Sequence, residues 1–419
     1  MLEELFTISQ TYLKNYNQDY IRYFLKEQKL TNRFSIIIGQ RGVGKTTMMV
    51  QYILQKYHDI YTTKALYIQA DHILLGRYTL YEIADEFYKM GGELLCIDEI
   101  HKYSSWAREL KSINDTFVKL KLLVSGSSAL EITKGSYDLS RRALVYKIQG
   151  MSLREFIELQ YKIVLPITTL DDILSSHQKV ADEIIDKIED KNQKILPLFK
   201  EYLGIGYYPF FFEYNDKEQF ILALEQNINT TIESDLLAIY PSLTGNSIRK
   251  LKSLIKIIST TVPFTLELKK LKTAIGISDE RTLKNYLKYL EDAGLIKMLQ
   301  KDNKGIKSLQ KPDKIYLDNP NLYIYKNANI GTIRETFFIN QLSKSHDIVA
   351  PKQGDFLVDN KYTFEVGGKS KGFEQIKDLP NSFQGNFASQ PLYDSFVVAD
   401  DIEIGFGNKI PLWLFGLLY

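Results

Sequence analysis

Residues 34–54, FSIIIGQRGVGKTTMMVQYIL, carry the most informative pattern in this chain of 419 residues. The first part, FSIII, is an apolar run rich in β-branched side chains, which is typical of a buried strand. The last part, TTMMVQYIL, has the apolar spacing of a helix. Between them, Gly39, Gly44, Lys45 and Thr46 follow the spacing G-x-x-x-x-G-K-T. A strand, this loop and a helix in that order predict a phosphate-binding loop.

The residue types of the loop suit a nucleoside triphosphate. Glycines allow backbone N–H groups to turn toward phosphate oxygens, and the following helix presents the positive end of its dipole to them. In loops of this type the lysine, here Lys45, reaches the β- and γ-phosphates and acts in catalysis, and the threonine, here Thr46, coordinates magnesium. We therefore predict ATP and Mg²⁺ as cofactors. The predicted nucleotide-binding residues are Gly39, Gln40, Arg41, Gly42, Val43, Gly44, Lys45, Thr46 and Thr47.

An acidic motif follows in GELLCIDEIHKY, residues 92–103. Four apolar residues, LLCI, run into Asp98 and Glu99, as at the end of a buried strand. In phosphate-loop enzymes a strand-end Asp holds magnesium, and a following Glu can orient and deprotonate the attacking water. We predict that Asp98 is a metal ligand and that Glu99 is the catalytic base. His101 is predicted to be a polar-contact residue rather than a catalytic one.

A further polar strand end occurs in KLKLLVSGSSALEI, residues 119–132. In this class of enzyme, a polar residue here lies between the γ-phosphate and the acidic motif. We predict this catalytic role for Ser127, with Ser125 as the alternate. A simple Ser-Gly turn remains open as the other interpretation.

Together, the segments GQRGVGKTT, LLCIDEIHKY, LLVSGSS and SRRALVYKIQGMSLREF resemble the prokaryotic AAA-type ATPases that carry a poorly characterised nuclease-like C-terminal domain. Members of that family typically have Gly-Arg before a VYxLxPLSxxEF motif, whereas this chain has Arg141 and Arg142 there. The family arginine therefore corresponds to Arg142, and Arg141 departs from the pattern. The resemblance implies a catalytic Arg142 that acts on a neighbouring subunit of a homo-oligomer. The alternative is a solvated arginine pair.

The order of apolar runs predicts an α/β fold. Strand patterns alternate with helical patterns, which implies a parallel sheet with helices on both faces. The predicted strands are 34–38, 65–69, 94–98, 121–125 and 144–148. We predict an N-terminal helical segment at 1–30, an AAA-type ATPase domain at 31–150, a helical lid or linker at 151–245, a winged helix-turn-helix at 246–311 and an α+β nuclease-like domain at 312–419.

The predicted winged helix is strongly basic. Residues 248–311 contain 15 Lys/Arg and 6 Asp/Glu, a net charge of +9, which leaves −7 for the rest of a chain whose total is +2. A basic module on an acidic body is typical of nucleic-acid binding. The predicted DNA contacts are Arg281, Lys284 and Lys288, which recur at helical spacing and share one face. Winged helices also dock proteins, and lysine-rich faces are often only solvated, so both alternatives remain open.

The segment TFEVGGKSKGFEQI near the C-terminus resembles part of a PD-(D/E)xK nuclease core. In that family an Asp and a Glu bind magnesium, and a Lys two positions after the Glu helps to polarise water. Asp355 and Glu365 match the two acids, but Gly367 occupies the lysine position, so Lys369 or Lys371 would have to substitute. The candidate residues are Glu335, Asp355, Glu365 and Lys369. We predict a retained but inactive nuclease fold; an active nuclease and an unrelated fold are the alternatives.

Composition limits the remaining classes. A single cysteine, Cys96, can form neither an internal disulfide nor a Cys-rich zinc site, which indicates a reducing compartment. No signal peptide and no membrane-length apolar run is visible, so we predict a cytoplasmic protein without a membrane partner. The predicted function is ATP hydrolysis coupled to binding or remodelling of double-stranded DNA. The alternatives are an ATP-gated DNA nuclease and a nucleotide-switched scaffold for a protein partner.

Overall fold

The computed structural model divides into two compact units. It describes residues 1–126, 139, 141–261, 268–301, 314–324, 328–376 and 394–419. Unit 1 comprises Met1–Gly150, Thr230–Leu243 and Asp292–Gly294, and unit 2 comprises Met151–Asn229, Thr244–Glu291 and Leu295–Tyr419. Unit 1 thus includes two short segments that begin 80 and 142 positions after the end of its main part.

Unit 1 contains a five-stranded parallel sheet. Its strands are β1 (Phe34–Ile38), β2 (Ala65–Gln69), β3 (Leu94–Asp98), β4 (Lys121–Gly126) and β5 (Leu144–Lys147). The order across the sheet is β2-β3-β4-β1-β5, and every neighbouring pair is parallel. The predicted α/β fold with a parallel sheet is therefore confirmed for this unit. The carboxyl ends of all five strands lie along one edge of the sheet.

Helices cover the sheet of unit 1. They are α1 (Leu2–Asn15), α2 (Tyr23–Glu27), α3 (Lys45–Tyr57), α4 (Leu80–Lys89) and α5 (Trp106–Thr116). Strands β1 and β3 are buried along their whole length, as expected of central strands covered on both faces. Cys96 lies in the middle of β3 and is fully buried, and this burial raises the pKa of its thiol.

Unit 2 begins with helices. Between residues 151 and 292 the chain forms α6 (Leu153–Tyr161), α7 (Leu170–Glu189), α8 (Ile195–Glu201), α9 (Lys217–Thr230), α10 (Leu236–Ile239), α11 (Gly245–Thr260), α12 (Leu268–Ala274) and α13 (Glu280–Asp292). A π-helical turn, Thr231–Asp235, leads into α10, and both belong to unit 1. After α13, strands β6 (Ile296–Leu299) and β7 (Lys314–Leu317) form an antiparallel pair.

The rest of unit 2 contains a mixed sheet. Its elements are helix α14 (Ile330–Leu342) and strands β8 (Ile348–Val349), β9 (Phe356–Val358), β10 (Tyr362–Gly367), β11 (Ser395–Ala399) and β12 (Lys409–Pro411). The sheet order is β12-β11-β10-β9-β8, with β10, β11 and β12 parallel and β8 and β9 antiparallel to their neighbours. Asp359 and Asn360, both with φ of 54°, form the turn between β9 and β10.

The core of unit 2 contains a group of packed aromatic rings. Phe338 packs with its ring centroid 4.8 Å from that of Phe415 and 5.0 Å from that of Phe364, and all three rings are fully buried. Such contacts fix α14 on the mixed sheet. Within the described ranges, no helix of either unit is both long enough and apolar enough to cross a membrane.

Candidate functional site

The phosphate loop lies between β1 and α3 in unit 1. Gly42 and Gly44 have φ of 84° and 89°, a left-handed conformation that glycine adopts without the strain of a side chain. Lys45 begins α3 and is 5% exposed. Its ammonium donates hydrogen bonds to the backbone carbonyls of Gly39, at 3.1 Å, and Gln40, at 3.0 Å. The loop therefore curves around the lysine side chain at the carboxyl end of β1.

Asp98 lies at the carboxyl end of β3, beside this loop. Its fully buried carboxylate accepts hydrogen bonds from the hydroxyls of Thr46, at 2.6 Å, and Tyr67, at 2.7 Å. The Ser125 hydroxyl on β4 also donates to it. Burial and the negative charge of Asp98 raise the pKa of Tyr67 far above its ordinary value, so Tyr67 stays a donor. Ser127, the predicted polar strand end, lies outside the described residues; the alternate, Ser125, contacts Asp98.

Glu99 follows Asp98 and turns its carboxylate toward the phosphate loop. Its backbone φ of 54° is unusual for a residue with a side chain. Oε1 lies 3.8 Å from the Lys45 ammonium nitrogen, and Oε2 is buried with no hydrogen-bond partner among the described residues. The structure thus brings Lys45, Thr46, Asp98 and Glu99 together at one edge of the sheet. An unsatisfied buried carboxylate oxygen leaves an acceptor for a further donor such as water.

Four contacts beside the loop have partners that were not predicted from the sequence. Arg41 forms an ion pair of 3.0 Å with Asp235, and Gln40 donates a hydrogen bond of 2.6 Å to the carbonyl of Gly294. His101, predicted only as a polar contact, is fully buried with its Nε2 3.6 Å from Glu99 Oε2 and 3.8 Å from Asp235 Oδ1. Burial opposes the charged form of Asp235, but the His101 ring and the Arg41 charge outweigh it and lower the carboxyl pKa.

Arg142 is engaged within its own chain. Its guanidinium donates two hydrogen bonds to the Asp115 carboxylate, at 2.7 and 2.8 Å, in a bidentate arrangement. Hydrogen bonds from Arg142 lower the pKa of this carboxyl. Both side chains are partly exposed, and Arg141 is exposed. The predicted action on a neighbouring subunit stays a prediction.

The predicted DNA contacts lie on helix α13. Leu283, Leu287 and Leu290 form its buried face. The three predicted contact residues, Arg281, Lys284 and Lys288, lie away from that face, with Arg281 and Lys288 exposed. Within the same helix, Lys284 pairs with Glu280 at 2.9 Å and Lys288 with Glu291 at 3.4 Å. Because pairs of this kind at a helix surface are weak, the lysines can exchange them for other anions.

A second group of charged residues, here called the acid cluster, lies in unit 2. It consists of Glu335, Asp355, Glu365, Lys314 and Lys371. Lys314 lies 3.0 Å from Asp355 and 4.0 Å from Glu335, and Lys371 forms an ion pair with Glu365. The hydroxyl of Tyr316 donates a hydrogen bond of 2.6 Å to Glu335. Five parts of unit 2 thus contribute to the cluster, namely β7, α14, the residue directly before β9, β10 and the segment after β10.

The lysine beside Glu365 is Lys371 and not the predicted Lys369, which is exposed. Strand β10 ends at Gly367, and the chain then turns back. A Cβ added at Gly367 would lie only 2.7 Å from Cγ of Lys371. The stem of Lys371 therefore crosses the face of Gly367, in the space where a side chain at that position would lie.

The surroundings of the acid cluster favour a net charge of the cluster close to zero. Burial and the neighbouring Asp355 charge raise the pKa of Glu335 from 4.5 to about 7. Burial and Asp355 also raise the pKa of Glu365, whereas Lys371 opposes this rise. Burial disfavours the charged Lys371, but the hydrogen bond to Glu365 and the surrounding acids raise its pKa overall. Within the described part of the chain, no three His, Cys, Asp or Glu side chains are arranged to hold a metal ion.

Two regions of the chain match known families. Residues 31–157 match the model of an AAA domain, and residues 196–329 match a domain of unknown function, DUF8612. The uncharacterized protein MJ1637 of Methanocaldococcus jannaschii is 29% identical over 194 residues, which cover 44% of this chain and 39% of that protein. The matched region thus spans less than half of the relative's length.

The similarity of this chain to solved structures is low, both in TM-score and in sequence identity. The Walker-type ATPase PABY2304 of Pyrococcus abyssi aligns with a TM-score of 0.41 at 10% identity, covering 71% of this chain and 92% of that one. The Thermotoga maritima RuvB Holliday junction branch migration motor aligns with a TM-score of 0.25 at 15% identity, covering 71% and 88%. AMPPCP-bound DnaA from Aquifex aeolicus gives 0.27 at 15% identity, covering 64% and 85%. TM-scores this low support no inference about the function of this chain.

The family match and the geometry of unit 1 agree. The matched range 31–157 begins just before β1 and contains all five parallel strands of unit 1. It also contains the phosphate loop and the acidic residues at the end of β3. Residues 31–157 therefore form an AAA-type, ATPase-like domain.

Proposed function

We propose that the protein hydrolyses ATP and couples its nucleotide state to the binding of double-stranded DNA. The observation that carries this proposal is the meeting of Lys45, Thr46, Asp98 and Glu99 at the carboxyl edge of the parallel sheet. A lysine, two oxygen donors and a carboxylate with a free acceptor are the groups that phosphoryl transfer to water requires.

The residues present fit a nucleotide with magnesium. Thr46 and Asp98 offer a hydroxyl and a carboxylate oxygen side by side, which are ligands that Mg²⁺ prefers. Lys45 and the turned backbone of the glycine loop would hold the phosphates. Magnesium held there would neutralise part of the charge on the phosphates. The buried Oε2 of Glu99, to which no residue of the described ranges donates a hydrogen bond, would accept the proton of the attacking water.

The DNA part of the proposal rests on residues 245–317. Helices α11, α12 and α13 are followed by the antiparallel pair β6–β7, which is the element order of a winged helix. The net charge of +9 over residues 248–311 supplies attraction to phosphates. In this arrangement α13 is the helix that enters a groove, and its exposed basic residues contact the duplex.

Nucleotide binding and turnover test the ATPase proposal. Lys45→Ala should abolish binding of a fluorescent ATP analogue, since the lysine holds the phosphates. Glu99→Gln should keep the nucleotide bound and lower kcat by roughly 100- to 10,000-fold, because the general base is lost. Wild-type turnover in Glu99→Gln would remove Glu99 as the base, and normal binding by Lys45→Ala would refute the loop assignment.

The DNA proposal is tested by the steady-state ATPase rate with and without duplex DNA. We expect stimulation at low salt that fades as the salt concentration rises, because phosphate contacts release counterions. No response at any salt concentration would instead favour the nucleotide-switched scaffold that binds a protein partner.

DNA cleavage by the acid cluster is the second candidate function. The observation that favours it is Lys371, which brings an ammonium to Glu365 across Gly367. The described residues do not fit a metal ion, because no three His, Cys, Asp or Glu side chains are arranged to hold one and the ammonium groups of Lys314 and Lys371 already pair with the acids. We therefore propose an inactive cluster. The test incubates supercoiled plasmid with protein, ATP and Mg²⁺ or Mn²⁺; nicking by wild type that Glu365→Gln abolishes would establish cleavage.

A further inference from the structure

Asp235 is a buried carboxylate that the proposed catalytic residues do not include. It ends the π-helical turn before α10, and its side chain is 4% exposed. Burying a carboxylate is costly unless partners compensate its charge. The compensation comes from two motifs of the nucleotide site: Arg41 of the phosphate loop and His101 after the acidic motif.

The contacts form a continuous path to the proposed base. Asp235 Oδ1 lies 3.0 Å from Arg41 and 3.8 Å from Nε2 of His101. The same nitrogen lies 3.6 Å from Glu99 Oε2, while Glu99 Oε1 faces Lys45 at 3.8 Å. The His101 ring has no exposed surface, so its position depends on the groups around it.

The segment that carries Asp235 is itself anchored in unit 1. Three apolar side chains of this segment are buried and recur at helical spacing, with exposed residues between them. They are Ile232, Leu236 and Ile239. These apolar side chains hold the turn in place. The position of Asp235 is therefore fixed both by the packing of its segment and by the polar contacts of its carboxylate. A shift of this segment would move Asp235 together with the ring that touches Glu99.

We infer that Asp235 is a positioning residue for ATP hydrolysis, which holds His101 and through it sets the orientation of the Glu99 carboxylate. Arg41 keeps Asp235 in place from the phosphate loop. Through these contacts, residues 230–243 influence the rate of ATP hydrolysis at the acidic motif that ends β3, although they are far from it along the chain. This inference rests on the proposed ATPase function, since Glu99 matters only as the base of that reaction.

Kinetics of single and double variants test the inference. Asp235→Asn should lower kcat about 10- to 100-fold, because a displaced Glu99 carboxylate no longer orients and deprotonates the attacking water. The dissociation constant of a non-hydrolysable ATP analogue should change by less than about threefold, since phosphate binding is kept. His101→Ala should lower kcat similarly, and Asp235→Asn/His101→Ala should be no slower than His101→Ala alone. Glu233→Gln, an exposed acid of the same turn, is the matched control and should keep the wild-type rate.

A second measurement does not need turnover. Without nucleotide, amide hydrogen exchange of residues 98–103 should be faster in Asp235→Asn than in wild type and unchanged in Glu233→Gln. Multiplicative losses of kcat in the double variant, or unaltered exchange in Asp235→Asn, would overturn the inference. If wild type itself does not hydrolyse ATP, the proposed function fails, and the exchange result still decides whether Asp235 holds the residues around Glu99.

Discussion

Three carboxylates show how neighbours at the level of single residues determine chemistry in this protein. Asp98 is fully buried but receives donors from Thr46, Tyr67 and Ser125, so its charge is compensated. Within the part of the chain that the structure describes, Glu99 keeps one carboxylate oxygen without a hydrogen-bond donor. Glu335 is buried beside another acid, and its pKa is raised to about 7. The same functional group thus suits metal binding, proton acceptance or a buried neutral form, depending on its surroundings.

The raised pKa of Glu335 predicts a pH-dependent stability. The folded state binds this proton more tightly than the unfolded state, whose pKa is near the ordinary value of 4.5. The stabilisation is therefore fully present below pH 4.5 and is lost as pH rises through about 7. Glu335→Gln, which cannot ionise, should be more stable than wild type at pH 8, on the order of 1–3 kcal/mol.

Urea unfolding at several pH values checks the Glu335 prediction. The difference between variant and wild type should shrink toward pH 5.5, where wild-type Glu335 carries its proton. Equal stability of the two proteins at pH 8, or a difference that does not depend on pH, would contradict a buried Glu335 with a raised pKa.

Gly367 allows a second prediction about a single residue. A Cβ at this position would lie 2.7 Å from Cγ of Lys371, so Gly367→Ala must displace the lysine from Glu365. We expect a loss of about 1–3 kcal/mol in the free energy of unfolding. Gly245→Ala is the control, since a Cβ there meets no atom within 4 Å, and it should not destabilise the protein. A Gly367→Ala variant as stable as Gly245→Ala would show that Lys371 does not cross this face.

At the level of secondary-structure elements, helix α13 separates its two faces by chemistry. Its leucines are buried, while Arg281 and Lys288 are exposed beside the half-buried Lys284. This division lets the helix hold its place in the fold and still present positive charge. Any contact of α13 with a duplex would involve phosphates through these side chains.

Charge removal on α13 gives the prediction for this element. Replacing Arg281, Lys284 and Lys288 by Gln should weaken duplex binding and lower the slope of log K against log salt by about 0.9 for each lost phosphate contact. Basal ATP hydrolysis should not change. The control is Lys179→Gln on α7, an exposed lysine of another helix. Fluorescence anisotropy over a salt series measures the slope; an unaltered slope in the triple variant would exclude α13 as the DNA-contacting helix.

Elements with local signals could be predicted from the sequence, and long-range contacts could not. The strands of unit 1 are continuous apolar runs, so β1 and β3 were placed within their observed bounds. Asp235 lies in no recognisable motif. Its contacts with Arg41 and His101 could not be predicted, because both partners are more than one hundred residues away along the chain. The pairing of Lys371 with Glu365 cannot be predicted either, because the turn after Gly367 does not follow from strand alternation.

The whole molecule raises the question of assembly, which Arg142 makes testable. In the single chain this side chain pairs with Asp115 at the protein surface. Such an exposed pair contributes little to stability, so it can open when another partner is available. An arginine that acts on a neighbouring subunit would therefore have to leave Asp115 first.

Mixing two inactive variants tests this action between subunits. Lys45→Ala cannot bind nucleotide but keeps its arginine, whereas Arg142→Ala keeps an intact phosphate loop. If Arg142 acts on a neighbour, mixed samples should recover part of the ATPase activity, with a maximum near equal proportions. Asp115→Ala, which removes only the internal partner, is the control and should remain active. Absence of recovery at every ratio would place the arginine on its own chain's nucleotide or outside the reaction.

The single buried cysteine can serve as a probe for local opening of the parallel sheet of unit 1. Cys96 is the only thiol in the chain, and it lies two residues before Asp98 on β3. A thiol-reactive dye can modify it only when that strand opens, so the labelling rate reports local unfolding directly. A ligand bound at the phosphate loop should slow labelling, which gives a binding assay without turnover. Cysteines introduced elsewhere on the surface can be labelled selectively without replacing Cys96.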